Sequence, residues 1–140
     1  MRKALIFLLI AILILLGIIY ALSSQVNAPT PSTVRALAAN EEIITLTTPD
    51  GLNIKASYVA GQCKDAPAIL MLHGNGARRD RFVSHFAEFN RAGFAVMAID
   101  FRGHGESDDA EKSYGVYESI DAETAFDWLK KKQDLSVIHI

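Results

Sequence analysis

The feature that most constrains this chain is an apolar run at its N-terminus. Residues Ala4 to Leu22 carry no charge, and Arg2 and Lys3 precede them. A helix of nineteen residues rises about 1.5 Å per residue and so reaches roughly 28 Å, close to the thickness of a bilayer's hydrocarbon core. Leu, Ile and Phe dominate the run, and these side chains favour insertion. We therefore predict that residues 1–22 form a transmembrane anchor, whose partner is the lipid bilayer around residues 4–22.

The charges beside this run predict its orientation. Both basic residues precede it, whereas Ser23 to Val34 carry none. The positive-inside rule then leaves the N-terminus in the cytoplasm and exports the residues that follow. The alternative is a secreted protein with a cleaved signal sequence, since Val26-Asn27-Ala28 resembles a small-residue cleavage site. The run exceeds the roughly 7 to 15 apolar residues of a signal sequence, which favours the anchor. In both cases we expect the domain to be extracytoplasmic.

The remaining residues have the composition of an ordinary globular domain behind a linker. Their apolar fraction is normal once the leader is set aside. A net charge of −2 without a basic stripe excludes the electrostatic footprint of a nucleic-acid-binding protein. Cys63 is the only cysteine, so no disulfide can form within the chain. Residues 23–40 are rich in Ser, Thr, Pro, Ala and Asn without any period, which predicts a flexible tether.

Strands and helices alternate from residue 41 to residue 140. A β-hairpin is predicted from Ile43–Thr47 and Leu52–Val59, joined at Pro49-Asp50-Gly51. Continuous apolar runs predict buried strands, and apolar residues three or four apart predict helices. These elements are a strand at 66–72, a helix at 81–92 with Phe82, Phe86 and Phe89 on one face, a strand at 94–99, a helix at about 118–132 with Ala122, Phe126 and Leu129 on one face, and a strand at 137–140. The alternation predicts an α/β sheet with right-handed crossovers.

A glycine-rich loop follows the first buried strand. In sheets of this kind, chemistry gathers at the carboxyl ends of the parallel strands, and His73-Gly74-Asn75-Gly76 comes directly after Leu72. Two glycines allow a sharp turn whose backbone N–H groups face outward, and a developing oxyanion needs such fixed donors. The same residues also fit a plain strand-to-helix turn that a histidine ties together. These four residues alone leave both interpretations open.

A second polar loop, Asp100 to Ser107, follows the next buried strand. Asp100 and Arg102 are spaced for a local ion pair that would stiffen a tight turn, and glycines flank His104 on both sides. This composition favours a structural role. The loop has neither the three-glycine spacing of a dinucleotide site nor the Gly-Lys-Ser/Thr of a phosphate loop. We therefore predict no cofactor and assign no residues to a metal.

Together, the two loops resemble those of the α/β-hydrolase superfamily. His-Gly-Asn-Gly after the third strand and Asp-Phe-Arg-Gly-His-Gly-Glu-Ser after the fourth are most similar to the branch of serine aminopeptidases, lysophospholipases and monoacylglycerol-lipase-like proteins. The resemblance implies the N-terminal half of a hydrolase sheet over residues 41–140. It also implies that Asn75, held between Gly74 and Gly76, donates a backbone N–H to an oxyanion hole and that His73 buttresses this loop. The residues that it assigns to the structural turn are Asp100, Arg102, Gly103, His104, Gly105 and Ser107.

The residues that would carry out catalysis in this family are missing from the sequence pattern. The family's nucleophilic serine lies in a Gly-x-Ser-x-Gly turn after the fifth strand. No serine here is framed in that way, and Ser107 has Gly105 before it but Asp109 after it. We expect the nucleophile, the acid and the base to lie beyond Ile140, and this truncated chain to be inactive alone. His85 and His139 are expected to have packing or surface roles, since neither has a catalytic partner in the sequence.

The resemblance implies a membrane-anchored serine hydrolase that cleaves a carboxylic ester, an amide or a similar acyl bond in a small substrate. One alternative is a non-catalytic, membrane-tethered binding module. Another is a relative with an aspartate nucleophile, as in dehalogenases and epoxide hydrolases. The sequence leaves both alternatives open.

Overall fold

The computed structural model describes residues 2–133 and 138–139. Three α-helices, one 3₁₀ turn and seven short strands follow one another within those residues. In chain order they are α1 (Arg2–Asn27), β1 (Thr30–Pro31), β2 (Glu42–Thr47), β3 (Asn53–Val59), β4 (Ala68–Met71), the 3₁₀ turn (Arg79–Phe82), α2 (Val83–Arg91), β5 (Ala95–Ile99), β6 (His104–Gly105), α3 (Glu118–Gln133) and β7 (Ile138–His139).

The N-terminal apolar run forms a single helix that leaves its side chains exposed. Helix α1 continues five residues past the predicted anchor and ends at Asn27. Its length and its apolar composition suit a membrane-crossing helix, and a signal sequence near the N-terminus has the same properties. A helix that is apolar all round is not stable in water, so α1 needs an apolar environment, which the other described residues do not supply.

The main sheet has five strands in the order β2-β3-β5-β4-β7. The predicted hairpin is confirmed: β2 and β3 are antiparallel, and Gly51 in their turn has φ +90°. Strand β3 is also antiparallel to β5, whereas β4 is parallel to both β5 and β7. The sheet is therefore mixed, with β5 at its centre and every residue of β5 buried.

Two helices cover opposite faces of this sheet because side chains alternate along each strand. On one face, Met97 and Ile99 of β5 share a core with Leu129 of α3. On the other face, Val96 shares a core with Phe86 of α2. The central strands are thus covered on both sides, as their uninterrupted apolar sequences predict. The carboxyl ends of β4 and β5, which run parallel, lie side by side at one edge.

The second helix begins later than the sequence predicts. The segment from Arg81 does not begin as α-helix, because residues Arg79–Phe82 form a 3₁₀ turn before α2. The backbone N–H of Arg79 donates to the carboxylate of Asp100 at 2.7 Å, which fixes the start of this turn. Gly93 ends α2 with φ +101°, as predicted. In the predicted last strand, Val137 and Ile140 lie outside the described residues.

Residues 30–37 form a strap across the domain where the sequence predicts a flexible tether. Strand β1 pairs in parallel with β6, and the N–H groups of Thr30 and Ser32 each donate to a glycine carbonyl of the second loop at 2.7 Å. Leu37 is only 4 % exposed and joins the core around Phe86. Composition did not indicate this docking, because backbone pairing needs no particular side chain and Leu37 is a single apolar residue in a polar segment.

The burial of Leu37 predicts a measurable contribution of the strap to stability. Leu37→Ala should lower the free energy of unfolding by about 2–5 kcal/mol, because it leaves a cavity beside Phe86. Thr33→Ala, at an exposed position of the same strap, should change it by less than about 0.5 kcal/mol. Urea unfolding followed through the fluorescence of Trp128, the only tryptophan, measures both. Equal and small effects would mean that residues 30–37 are a free tether.

Candidate active site

Two histidines join the loops after β4 and β5, and each of them accepts a hydrogen bond from the other loop. His73, at the end of β4, accepts the backbone N–H of Phe101 at Nε2 over 3.1 Å. His104, in the second loop, accepts the backbone N–H of Gly76 at Nε2 over 3.1 Å. The two rings meet edge to face with their centroids 5.1 Å apart. Each loop therefore holds the backbone of the other.

These contacts determine the protonation of both rings. A ring nitrogen that accepts an N–H must carry a lone pair, so each Nε2 is unprotonated. Each Nδ1 then carries the proton and donates it, from His73 to the carbonyl of Gly74 at 2.8 Å and from His104 to the carbonyl of Arg102 at 2.9 Å. Burial lowers the pKa of His73, which agrees with a neutral ring. With both nitrogens engaged, neither histidine is available as a general base.

The backbone held in this way presents Asn75 to a cleft. Residues Gly74, Asn75 and Gly76 are exposed, and the N–H of Asn75 has no acceptor among the residues that the structure describes. The cleft has a volume of about 310 Å³. Its lining consists of His73, Gly74, Asn75, Phe101, His104, Lys112, Tyr114, Gly115 and Glu118. The predicted His-Gly-Asn-Gly loop thus borders a cavity and is not packed into the interior.

The far wall of the cleft is a turn that a single carboxylate organises. Glu118, the first residue of α3, accepts hydrogen bonds from the backbone N–H groups of Ser113 and Gly115 and from the Ser113 hydroxyl, at 2.5–2.8 Å. Tyr114 lies between them with φ +56°, a strained value for a residue with a side chain. Burial alone would raise the pKa of Glu118, but these hydrogen bonds outweigh it and lower the pKa to about 2.

Residues 64–132 match the family model described as serine aminopeptidase, S33. Over these residues, just under half of the chain, the protein is similar to that family, and its fold is that of an α/β hydrolase. No curated protein sequence matches the chain. Both loops follow the carboxyl ends of parallel strands, the edge at which open α/β sheets bind ligands.

Solved hydrolase structures share the fold. An esterase of Pyrococcus furiosus superposes with a TM-score of 0.65 at 23% identity, over 79% of this chain and 46% of the esterase. An epoxide hydrolase mutant of Vigna radiata gives 0.57 at 21% identity, over 66% and 28%. An esterase of Exiguobacterium antarcticum gives 0.53 at 22% identity, over 67% and 32%. The chain thus spans less than half the length of the first of these enzymes, and at these identities the likeness concerns the fold.

The predicted ion pair between Asp100 and Arg102 is wrong. Asp100 is fully buried and pairs with Arg79, which contacts it through both its guanidinium and its backbone N–H. The guanidinium of Arg79 also donates to Glu106 at 2.6 Å and to the hydroxyl of Ser57 at 3.0 Å. Residues two apart on a turn point in different directions, which the spacing in the sequence did not reveal. Asp100 therefore ties the second loop to the turn before α2.

Arg102 makes a separate network on the other side of the second loop. It donates to the buried carboxylate of Asp121 through its backbone N–H, Nε and Nη2, at 2.7–3.1 Å. Its guanidinium also reaches Asp50 in the β2–β3 turn at 2.7 Å. The hydrogen bonds from Arg102 and Thr48 lower the pKa of Asp50 to about 2. Arg102 thus joins the second loop to α3 and to the hairpin.

The small residues of the second loop permit these contacts. Gly105 has φ +56°, and a Cβ there would overlap the carboxylate of Asp100. Gly103 has φ +66° and faces the carbonyl of Ala110 at equally close range. The hydroxyl of Ser107 donates to the carbonyl of Asp100 at 2.6 Å and accepts the N–H of Lys55 at 2.9 Å. These contacts account for the structural role that the sequence predicted for this turn.

The sequence does not reveal the partners of either Asp100 or Arg102. Arg79 lies among Arg78, Asp80 and Arg81, a run that reads as a solvated surface, yet it is only 2 % exposed. Asp121 looks like a favourable charge in the first turn of α3, and it is fully buried beneath Arg102. No periodic signal distinguishes such residues from their exposed neighbours. Within residues 2–133 and 138–139, no three potential ligands come together as a metal site.

The corrected pairing can be measured with double-mutant cycles. Asp100→Asn combined with Arg79→Met should show a coupling energy of about 2 kcal/mol in urea unfolding, because the two residues share a buried contact. Asp100→Asn combined with Arg102→Met should show less than about 0.5 kcal/mol, since their partners differ. A larger coupling energy for Asp100 with Arg102 than for Asp100 with Arg79 would indicate that the ion pair lies within the turn.

The carboxylate of Glu118 predicts a dependence of stability on pH. Its pKa of about 2 in the folded domain lies below the ordinary value of 4.5, so the unfolded chain binds more protons between these values. The stabilisation is therefore complete above about pH 5 and is lost as the pH falls towards 2. Glu118→Gln should lose on the order of 3 kcal/mol at pH 7 and should be less sensitive to pH below 5.

The matched control for this prediction is Glu123→Gln, an exposed position on the same helix. Urea midpoints at pH 7, 5, 4 and 3 compare the two variants with the parent chain. Parallel curves for the Glu118→Gln variant and the parent would contradict the assignment.

Proposed function

We propose that this chain provides the membrane anchor and the oxyanion-binding side of a hydrolase that cleaves carboxylic ester, amide or similar acyl bonds. The observation that carries the proposal is the backbone N–H of Asn75, which borders the cleft without an acceptor among the described residues. A backbone donor fixed before the reaction stabilises the charge that develops on a carbonyl oxygen when it is attacked. The match of residues 64–132 to the serine aminopeptidase family model supports the assignment.

The rigidity of the loop supports this role. His73 and His104 hold the backbone on either side of Asn75, and their own hydrogen bonds leave them neutral. A donor that does not reorient during the reaction loses none of its stabilisation to reorganisation. The geometry therefore favours a transition state with negative charge on oxygen beside Asn75.

The attacking group in this proposal comes from residues other than those described. Both cleft histidines are used in structural contacts, and Ser107 is buried with its hydroxyl bonded to backbone groups of Asp100 and Lys55. None of these three can act as a nucleophile or a base in this arrangement. We infer a serine nucleophile on the basis of the match to serine aminopeptidases.

Helix α1 supports the proposed location. Its exposed apolar surface and its basic N-terminal residues suit a single membrane span with the N-terminus in the cytoplasm. The hydrolase domain would then lie on the opposite side of the membrane and act on a small acyl substrate there.

The oxyanion role is tested by a substitution that removes the backbone N–H at position 75 and leaves the length of the loop unchanged. In the whole hydrolase that contains this chain, Asn75→Pro should lower kcat for an activated short-chain ester about 10²–10³-fold with little change in KM. Asn75→Ala is the matched control, because it keeps the N–H and removes only the side chain. It should retain most of the activity.

Folding of both variants is checked by thermal melting, and Gly74 accommodates a following proline readily. A folded Asn75→Pro variant with unchanged kcat would contradict the oxyanion role. A whole protein that binds acyl ligands and shows no turnover would favour the non-catalytic module.

A further inference from the structure

The end of α1 is joined directly to the rim of the cleft. The carbonyl of Asn27, the last residue of α1, accepts the backbone N–H of Lys112 at 2.9 Å. The carbonyl of Val26 accepts the hydroxyl of Tyr114 at 3.5 Å. The same hydroxyl accepts the side-chain amide of Asn75 at 3.4 Å. Lys112, Tyr114 and Asn75 all line the cleft, so its mouth and the helix end share one set of contacts.

We propose that Tyr114, Val116 and Tyr117 form a lipid-contacting rim, through which the cleft opens into the interfacial layer of the membrane that α1 spans. The proposal rests on the proposed anchoring by α1 and goes beyond it. It states which face of the domain meets the bilayer, and it identifies the partner of that face as the lipid surface.

The length of α1 sets the depth of this rim. The apolar run ends at Leu22, and Val26 lies four residues further along the helix. At about 1.5 Å per residue, Val26 lies roughly 6 Å beyond the edge of the hydrocarbon core. The interfacial layer of each leaflet is about 5–7 Å thick. The Tyr114 hydroxyl, bonded to Val26, therefore lies at headgroup depth.

The chemistry of the rim suits that depth. Tyr114, Val116 and Tyr117 are 60%, 68% and 54% exposed, three large apolar side chains within four consecutive residues. Tyrosine is enriched at membrane interfaces, because its ring is apolar and its hydroxyl is polar. Exposing this cluster of apolar side chains to water is unfavourable, whereas the interfacial layer of the membrane suits each of them.

The rim is held in place before it meets the membrane. Glu118 fixes the turn through three hydrogen bonds, as described above, and the Tyr117 ring packs against the guanidinium of Arg102 at 5.7 Å. The side chains therefore do not need to be ordered on contact with lipid, which removes an entropic cost of binding.

The depth of the rim is tested on the full chain in phosphatidylcholine vesicles. In a Cys63→Ser background, Val116→Cys provides a single thiol for an environment-sensitive fluorophore, and lipids with nitroxide-labelled headgroups act as quenchers. The matched control is Ile43→Cys on β2, since Ile43 is also half exposed, at 50%. We expect blue-shifted, quenched emission at position 116 and water-like, unquenched emission at position 43.

Three outcomes would overturn the proposal, and they separate it from the anchor. If the chain floats with the vesicles but both probes remain water-like, α1 is an anchor and the rim does not meet the membrane. If both probes are quenched equally, the domain contacts lipid without the proposed orientation. If the chain does not float with the vesicles, the anchor and the rim both fail.

Discussion

The reciprocal bonds between His73 and His104 are the interaction on which the candidate site depends. Each ring accepts an N–H of the opposite loop and donates to a carbonyl of its own loop. Such a pair needs both rings neutral and both loops present, so neither loop can adopt its shape alone. The exposed N–H of Asn75 is a consequence of this bracing, because its loop has no regular secondary structure to hold it.

Around this pair, buried charges connect elements that are distant in the chain. Arg79 joins the turn before α2 to Asp100, and Arg102 joins the hairpin to α3 through Asp50 and Asp121. Each guanidinium satisfies two carboxylates, which offsets the cost of removing the charges from water. The second loop therefore connects these elements, and Gly105 leaves space for the carboxylate of Asp100 at its centre.

The architecture and the location of the site could be predicted from the sequence, whereas the contacts that hold them could not. Apolar runs such as 94–99 predict buried strands, and the glycine-rich loops identify the edge of the sheet that the cleft borders. The partners of Asp100 and Arg102 depend on distances between segments far apart in sequence, and charged residues such as Arg79 look alike whether exposed or buried. The strap was missed for a similar reason, since its pairing with residues 104–105 involves only backbone groups.

The pairing of β1 with β6 has a mechanical consequence. Only Ala28 and Pro29 separate the end of α1 from a strand that is already part of the domain. A flexible linker of the eighteen residues 23–40 would let the domain reorient independently of α1. A linker of two residues does not. The domain must therefore rotate together with α1, so each face of the domain keeps a fixed orientation relative to the surroundings of that helix.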